Sequence, residues 1–433
     1  MRIENYIPLE RQFSSVPTSQ EDAESDQILS IWGHVKANTW EDMDREFRCV
    51  ILAEAGAGKT EELRQHASVL ASIGKPAFFI RIEDIEADFY KAFEIGEEEQ
   101  FKKWLLSTEE AWFFLDSVDE ARLENPSAFR KALRRFAKGI KIGAHRAHIY
   151  LSSRPYAWRP REDRRLLDEI FYLAARQEGQ VGEVDPQSEP QSALTIYTML
   201  PLDRERIRCF CVARAANEID RLLHEIDRSN LWDLASRPFD LECILAKWIE
   251  EKSLGCRLEM FRYNIDKRLR DDHNSDRAQR QTLNLEQARE GARRLAAAVV
   301  LTGQTGFNVP DVAPVKPGIE SESVLADWDP KDVRALLERG IFNDIIYGVV
   351  RFRSRDIREL LAAEWFDGLL KSGNSRHTID TLFFSEQYGE KIIPPRLRPI
   401  VPWLILFDDV ICRRALENHP EIAIEGGDPS QLP

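Results

Sequence analysis

The chain has 433 residues, 43% of them apolar and 31% charged, with a formal net charge of −14. Such a length accommodates roughly two to four domains with cores of their own. No run approaches the ~18 apolar residues of a membrane span, the polar N-terminus lacks a signal-peptide core, and the acidic excess opposes general binding to a nucleic-acid backbone.

Residues 1–46 hold Pro8, Pro17, an acidic stretch at 21–26, Trp32 and Trp40; they are too short for an enzymatic domain and are expected as an arm packing on the domain after them. From 47 to 202 apolar strands alternate with helical stretches, which implies a mostly parallel sheet covered on both faces. Strands are expected at 49–52 and 76–82, in the segment 111–120 that ends in three carboxylates, in the segment 148–155 that ends in polar residues and an arginine, and at 195–200, with helices from 61 to Gly74 and over 127–139. The loop 178–192 is rich in Gly, Pro, Gln and acids and reads as mobile. Local basic runs at 159–165 and 267–280 are mixed with acids and read as solvated helix faces. Cys49, Cys209, Cys211, Cys243, Cys256 and Cys412 show no zinc-ligand spacing or disulfide framework and are expected as buried thiols in a reducing cytoplasm.

Chemistry concentrates on three strand ends. After 49–52 come Ala53, Glu54, Ala55, Gly56, Ala57, Gly58, Lys59 and Thr60. Two glycines let the backbone turn successive N–H groups toward an anion, and the following helix N-terminus adds partial positive charge. Lys59 would reach the β- and γ-phosphates and the Thr60 hydroxyl would ligate Mg²⁺. Ala53 replaces the usual first glycine, which a methyl tolerates if φ stays negative. The second strand ends in Asp116, Asp119 and Glu120. Asp116, at the tip of a neighbouring strand, is the metal-side acid, acting directly or through water; Asp119 or Glu120 could orient the attacking water. The third ends in Arg154, which could stabilise the γ-phosphate.

These residues carry a resemblance. AEAGAGKT at 53–60, FFLDSVDE at 113–120 and SSRP at 152–155 resemble the NACHT family of STAND signalling NTPases, with Ser117 in place of the family's glycine. The resemblance implies ATP/ADP with Mg²⁺ as ligands and a series of domains: 1–46 arm, 47–202 P-loop nucleotide-binding domain of α/β class, 203–284 helical domain, 285–380 winged-helix domain and 381–433 as the start of a helical-repeat region. One helix face is expected over 203–226. Pro238 resembles the family's proline near the adenine, and it equally suits the first turn of a helix. The segment 271–281 reads as a linker, 286–301 as a helix, 303–318 as irregular, and 330–339 as a helix closed by Gly340. A hairpin over 341–353 with Gly348 at its middle then completes the order helix, helix, hairpin of a winged helix.

The stretch 351–365 resembles the family's segment in which a phenylalanine and a histidine precede E-x-L-A-A; Phe352, Glu359, Leu361, Ala362 and Ala363 match. Ser354 stands where the histidine contacts ADP, so a latch on ADP must use Ser354, Arg353 or Arg355. With no room for an effector before the glycine loop, the resemblance implies a separate effector chain, an unknown trigger protein and self-association on activation, in bacterial antiphage defence. Two other classes fit the residues: an AAA+-like or simple ATPase with continuous turnover, and an ATP-regulated DNA-binding winged-helix protein. Against the last, 351–358 is the single basic cluster beside the hairpin.

Overall fold

The computed structural model describes residues 6–16, 37–54, 56–86, 89–116, 126–155, 158–176, 194–214, 217–270, 283–310, 318–343, 348–373, 376–387 and 390–432. They form two units, Met1–Ile219 with Leu234–Glu242, and Asp220–Asp233 with Cys243–Pro433.

In the first unit β1 (Phe13–Ser15) and the single turn α1 (Trp40–Met43) precede β2 (Arg48–Leu52) and α2 (Lys59–Ser72). Then come β3 (Ala77–Arg81), β4 (Phe93–Ile95), α3 (Glu98–Leu105), β5 (Ala111–Asp116), α4 (Pro126–Gly139), β6 (Ala147–Ser153), α5 (Pro160–Arg176), β7 (Thr195–Met199) and α6 (Arg204–Ala213). The seven strands lie in the order β1-β7-β2-β6-β5-β3-β4. The five inner ones are parallel, and the edges β1 and β4 run antiparallel to β7 and β3. All five expected strands are present; β1 and β4, too short to show a period, are additions.

Continuous apolar strands are what a sheet buried on both faces requires. Successive side chains alternate between two cores. Val50, Leu52, Phe113 and Leu115 enter one core, while Cys49, Ile51, Trp112 and Phe114 enter the other with Leu63, Ala67 and Leu70 of α2. Of the segment 1–46, residues 6–16 and 37–46 are described; there β1 pairs with β7, and Phe13 exchanges backbone hydrogen bonds with Asn38.

The helix face expected over 203–226 is split. Arg214 closes α6, Glu218 takes a left-handed φ of 58°, and α7 (Ile219–Arg228) begins after it. The turn α8 (Trp232–Ala235) and α9 (Pro238–Glu251) follow.

The second unit continues with α10 (Arg257–Arg270), α11 (Leu285–Thr302), β8 (Phe307–Asn308), β9 (Ile319–Glu320), α12 (Ser321–Val324), α13 (Pro330–Leu337), β10 (Val349–Val350) and α14 (Arg355–Lys371). Asn284 caps α11 and Gly303, at φ 74°, ends it. Gly340 is not the cap of α13: Glu338 ends that helix in a right-handed conformation, and Gly340 N–H donates to Arg268 O. The expected hairpin closes through a bridge between Phe342 and Phe352, with Gly348 at φ 73°. Its β10 also pairs with β8 inside the region expected to be irregular, giving a small sheet in the order β10-β8-β9. Buried Glu364 on α14 binds Arg262 of α10 and Arg289 and Arg293 of α11, fastening three helices. Then come α15 (Arg376–Phe383), a hairpin of β11 (Ser385–Gln387) and β12 (Glu390–Ile392), and short helices α16 (Val401–Leu404), α17 (Asp409–Asn418) and α18 (Ile422–Glu425).

The linker at 271–281 and the loop at 178–192 lie outside the described residues. No cysteine is in a disulfide, but Cys209 is exposed and Cys256 half-buried, against the expectation of six buried thiols. Among the described residues no helix is long and apolar enough to cross a membrane.

Candidate functional site

The glycine loop joins the end of β2 to the start of α2. Ala53 is buried, keeps out of the positive-φ region and donates its N–H to Ser153 O on β6 at 3.1 Å. Gly56 and Gly58 both take left-handed φ, 81° and 86°, a conformation costly for any residue with a Cβ. Ala57 N–H closes a turn onto Glu54 O at 3.2 Å. Gly58 is the N-cap of α2 and, lacking a side chain, caps nothing. The first N–H groups of a helix have no intrahelical acceptor, which is the arrangement that suits an anion at a helix start. Lys59 and Thr60 are the first two helical residues, both half-buried.

Two strands away lies Asp116. The order β2-β6-β5 corrects one expectation, since β6 separates the glycine-loop strand from the acidic strand. Asp116 falls on the same pleat as Trp112 and Phe114, the face covered by α2. It is 1% exposed and accepts a hydrogen bond from the Ser152 hydroxyl on β6. Ser152 pairs in register with Ile51 of β2, so the intervening strand ties the acid to the loop strand. Arg154 follows β6 directly and is buried; its carbonyl accepts from Trp158 N–H at 3.1 Å. Ala55, Asp119 and Glu120 lie outside the described residues.

Pro238 is brought to the loop. It is the first residue of α9, as the helix-start reading had it. It also lies against the glycines: a Cβ built on Gly58 would sit 3.7 Å from Pro238 Cγ, and one on Gly56 would sit 2.9 Å from Phe239 Cβ. Phe239 N–H donates to Gly56 O at 3.2 Å.

Arg353 and Arg355 belong to the second unit and have partners there. Arg353 donates to the carbonyl oxygens of Gly340 and Phe342, both at 3.2 Å, and so braces the base of the hairpin. Arg355 pairs with Glu359 at 2.6 Å. Ser354 is the N-cap of α14, its hydroxyl accepting from Ile357 N–H at 3.4 Å.

The donor set suits a nucleotide with Mg²⁺. The left-handed φ of Gly56 and Gly58 disfavours a Cβ at those two positions of the loop, and Thr60 and Asp116 offer hard oxygens of the kind Mg²⁺ takes alongside phosphate. Among the described residues no cluster of three or more His, Cys, Asp or Glu could hold a metal by itself.

Sequence reasoning overlooked Ser152, which lies inside the third strand-end motif, and Phe239, which directly follows Pro238. It also missed Arg11, whose Pro-containing surroundings give no signal. Arg11 is 4% exposed and donates to Ala57 O at 3.0 Å and Leu200 O at 2.7 Å.

No family model matches the chain, and no curated protein matches its sequence significantly. Among solved structures, a Walker-type ATPase of Pyrococcus abyssi is similar at 10% identity and a TM-score of 0.35, over 74% of this chain and 93% of that one. The ORC2 protein of Aeropyrum pernix, solved as ADPNP-ADP complexes, is similar at 13% identity and a TM-score of 0.33, over 86% and 97%. Likeness at this level adds nothing to what the strand order and the loop themselves carry.

Proposed function

We propose that the chain is an ATP/ADP-dependent switch of the NACHT type that binds nucleotide with Mg²⁺ and hydrolyses ATP slowly. The observation that carries the reading is the glycine loop: two left-handed glycines between a buried parallel strand and a helix that begins with Lys59 and Thr60. In this reading Lys59 holds the β- and γ-phosphates, while Thr60 and Asp116 hold Mg²⁺, which neutralises phosphate charge when bound. Asp119 or Glu120 orients the attacking water and Arg154 stabilises the γ-phosphate.

The NACHT assignment draws on the motif resemblance, and the place of Pro238 beside Gly58 supports it. A γ-phosphate that is contacted differently in two arrangements of the chain shifts the balance between them. Nucleotide-controlled opening and self-association follow from that logic. Bacterial antiphage defence, a trigger protein and a separate effector chain rest on the resemblance alone.

Calorimetry with ADP and ATP in Mg²⁺ tests the reading, with Lys59→Ala as the variant. We expect micromolar or tighter binding by the parent and none by a folded Lys59→Ala chain. Equal affinity in both would make the loop a structural turn, and rapid unstimulated turnover would favour a plain ATPase over a switch.

A further inference from the structure

The loop is gripped from outside by donors on two separate segments. A trans peptide is planar, with C=O and N–H on opposite sides. Holding one carbonyl therefore aims the N–H of the next residue the other way. Phe239 N–H holds the Gly56 carbonyl, whose peptide carries the Ala57 N–H that closes the turn on Glu54. Arg11 holds the Ala57 carbonyl, whose peptide carries the Gly58 N–H. That N–H donates to no group among the described residues.

Arg11 is an expensive residue to keep in this place. It is 4% exposed, and its Nε is buried without a hydrogen-bond partner. Burial draws the guanidinium below the ordinary arginine range, with Glu62 opposing. An arginine buried this way costs stability unless its remaining bonds do something for the fold or the site. Those bonds go to the loop and to Leu200, at the end of β7. The arm carrying Arg11 is fastened on either side. Tyr6 and Trp40 both donate to Glu62 on α2, at 2.8 Å each, and Arg206 of α6 donates to Leu9 O and Glu10 O.

We infer that Arg11 is a positioning residue for the anion site: by holding the Ala57 carbonyl it fixes the peptide that aims the Gly58 N–H at a bound phosphate. This deepens the nucleotide-switch reading and rests on it. A charge-assisted bond to a carbonyl is worth enough that its loss should weaken ADP binding about tenfold.

The test uses the full chain labelled with ¹⁵N-glycine, as parent, Arg11→Met, Arg11→Lys and Arg206→Met. Arg206→Met loosens the same arm without touching the loop and serves as the control for a purely structural effect. Without nucleotide, the Gly58 amide signal should shift or broaden in Arg11→Met and stay in place in Arg206→Met. On ADP–Mg²⁺ titration, Arg11→Met should bind about tenfold more weakly than the parent, Arg11→Lys should recover part of the loss, and Arg206→Met should match the parent. Equal ADP affinity in Arg11→Met and the parent would overturn the positioning role alone. So would losses in Arg11→Met and Arg206→Met that both simply follow their melting temperatures. A parent that binds no ADP would overturn the nucleotide reading and this role with it.

Discussion

The hydroxyl of Ser152 donates to the carboxylate of Asp116, joining the middle of three adjacent parallel strands to the strand that carries the acid. The bond fixes a buried carboxylate at the face that α2 covers. We expect Asp116→Asn to leave ADP binding in EDTA unchanged and to reduce the gain from adding Mg²⁺ on the order of tenfold. Ser152→Ala, which leaves Asp116 in place, should lower stability by about 1–3 kcal/mol through the lost donor to a buried acceptor. Calorimetry with and without Mg²⁺, beside urea melts, separates the two. An Asp116→Asn chain with the full Mg²⁺ gain would remove the carboxylate from the metal role.

Gly56 and Gly74 offer a matched comparison. Both are left-handed, at φ 81° and 84°, but a Cβ on Gly56 would meet Phe239 at 2.9 Å whereas one on Gly74 would meet nothing within 4 Å. Gly74→Ala should therefore cost only the backbone term, about 1–2 kcal/mol. Gly56→Ala should cost more and also weaken nucleotide binding, because Phe239 must move off the loop. Equal destabilisation, read from chemical denaturation, would mean that the Phe239 contact contributes nothing.

The inner strands were legible because a sheet buried on both faces leaves unbroken apolar runs such as Val50–Leu52 and Trp112–Leu115 with polar ends. The two edge strands were not, since strands of three residues are too short to show a period. Between α6, which Arg214 closes, and α7 lies Glu218 at φ 58°, a conformation that a glutamate does not advertise. Gly340 misled for the opposite reason: a glycine after a helix suggests a left-handed cap, and here the chain turns without one. At the candidate site, Lys59, Thr60 and Asp116 were marked by local spacing. Arg11 and Phe239 act on the loop across long stretches of chain, and such contacts exist only once the sheet has formed.

Ser354 and Arg353 have structural duties that need no nucleotide. As N-cap of α14, Ser354 should cost about 1 kcal/mol when changed to alanine. Arg353, which braces two carbonyls at the foot of the hairpin, should cost at least as much when changed to methionine. Melting curves without ligand measure both. If either variant melts like the parent in the absence of ligand but loses an ADP-induced gain, that residue belongs to the nucleotide latch instead.

Glu359 gives the second unit a pH dependence of definite sign. The residue is 7% exposed, and burial pushes its carboxyl up to about 7 from an ordinary 4.5, with Arg355 pulling the other way. The folded chain then holds a proton that the unfolded chain has released. Between these two values the native state binds more protons, so stability falls as the pH rises through the window. The full effect is at most about 3 kcal/mol, reached above the folded value and absent below the unfolded one. Glu359→Gln keeps a partner for Arg355 without the titrating group. It should match the parent near about pH 5 and exceed it in stability near about pH 8. Urea melts across that range decide the matter, and parallel profiles for parent and variant would show that the carboxyl titrates normally. The same measurement bears on the latch. If ADP drew Arg355 away from Glu359, the carboxyl would lose its stabilising cation, its pKa would climb further, and the stability lost on raising the pH would grow in the presence of ADP.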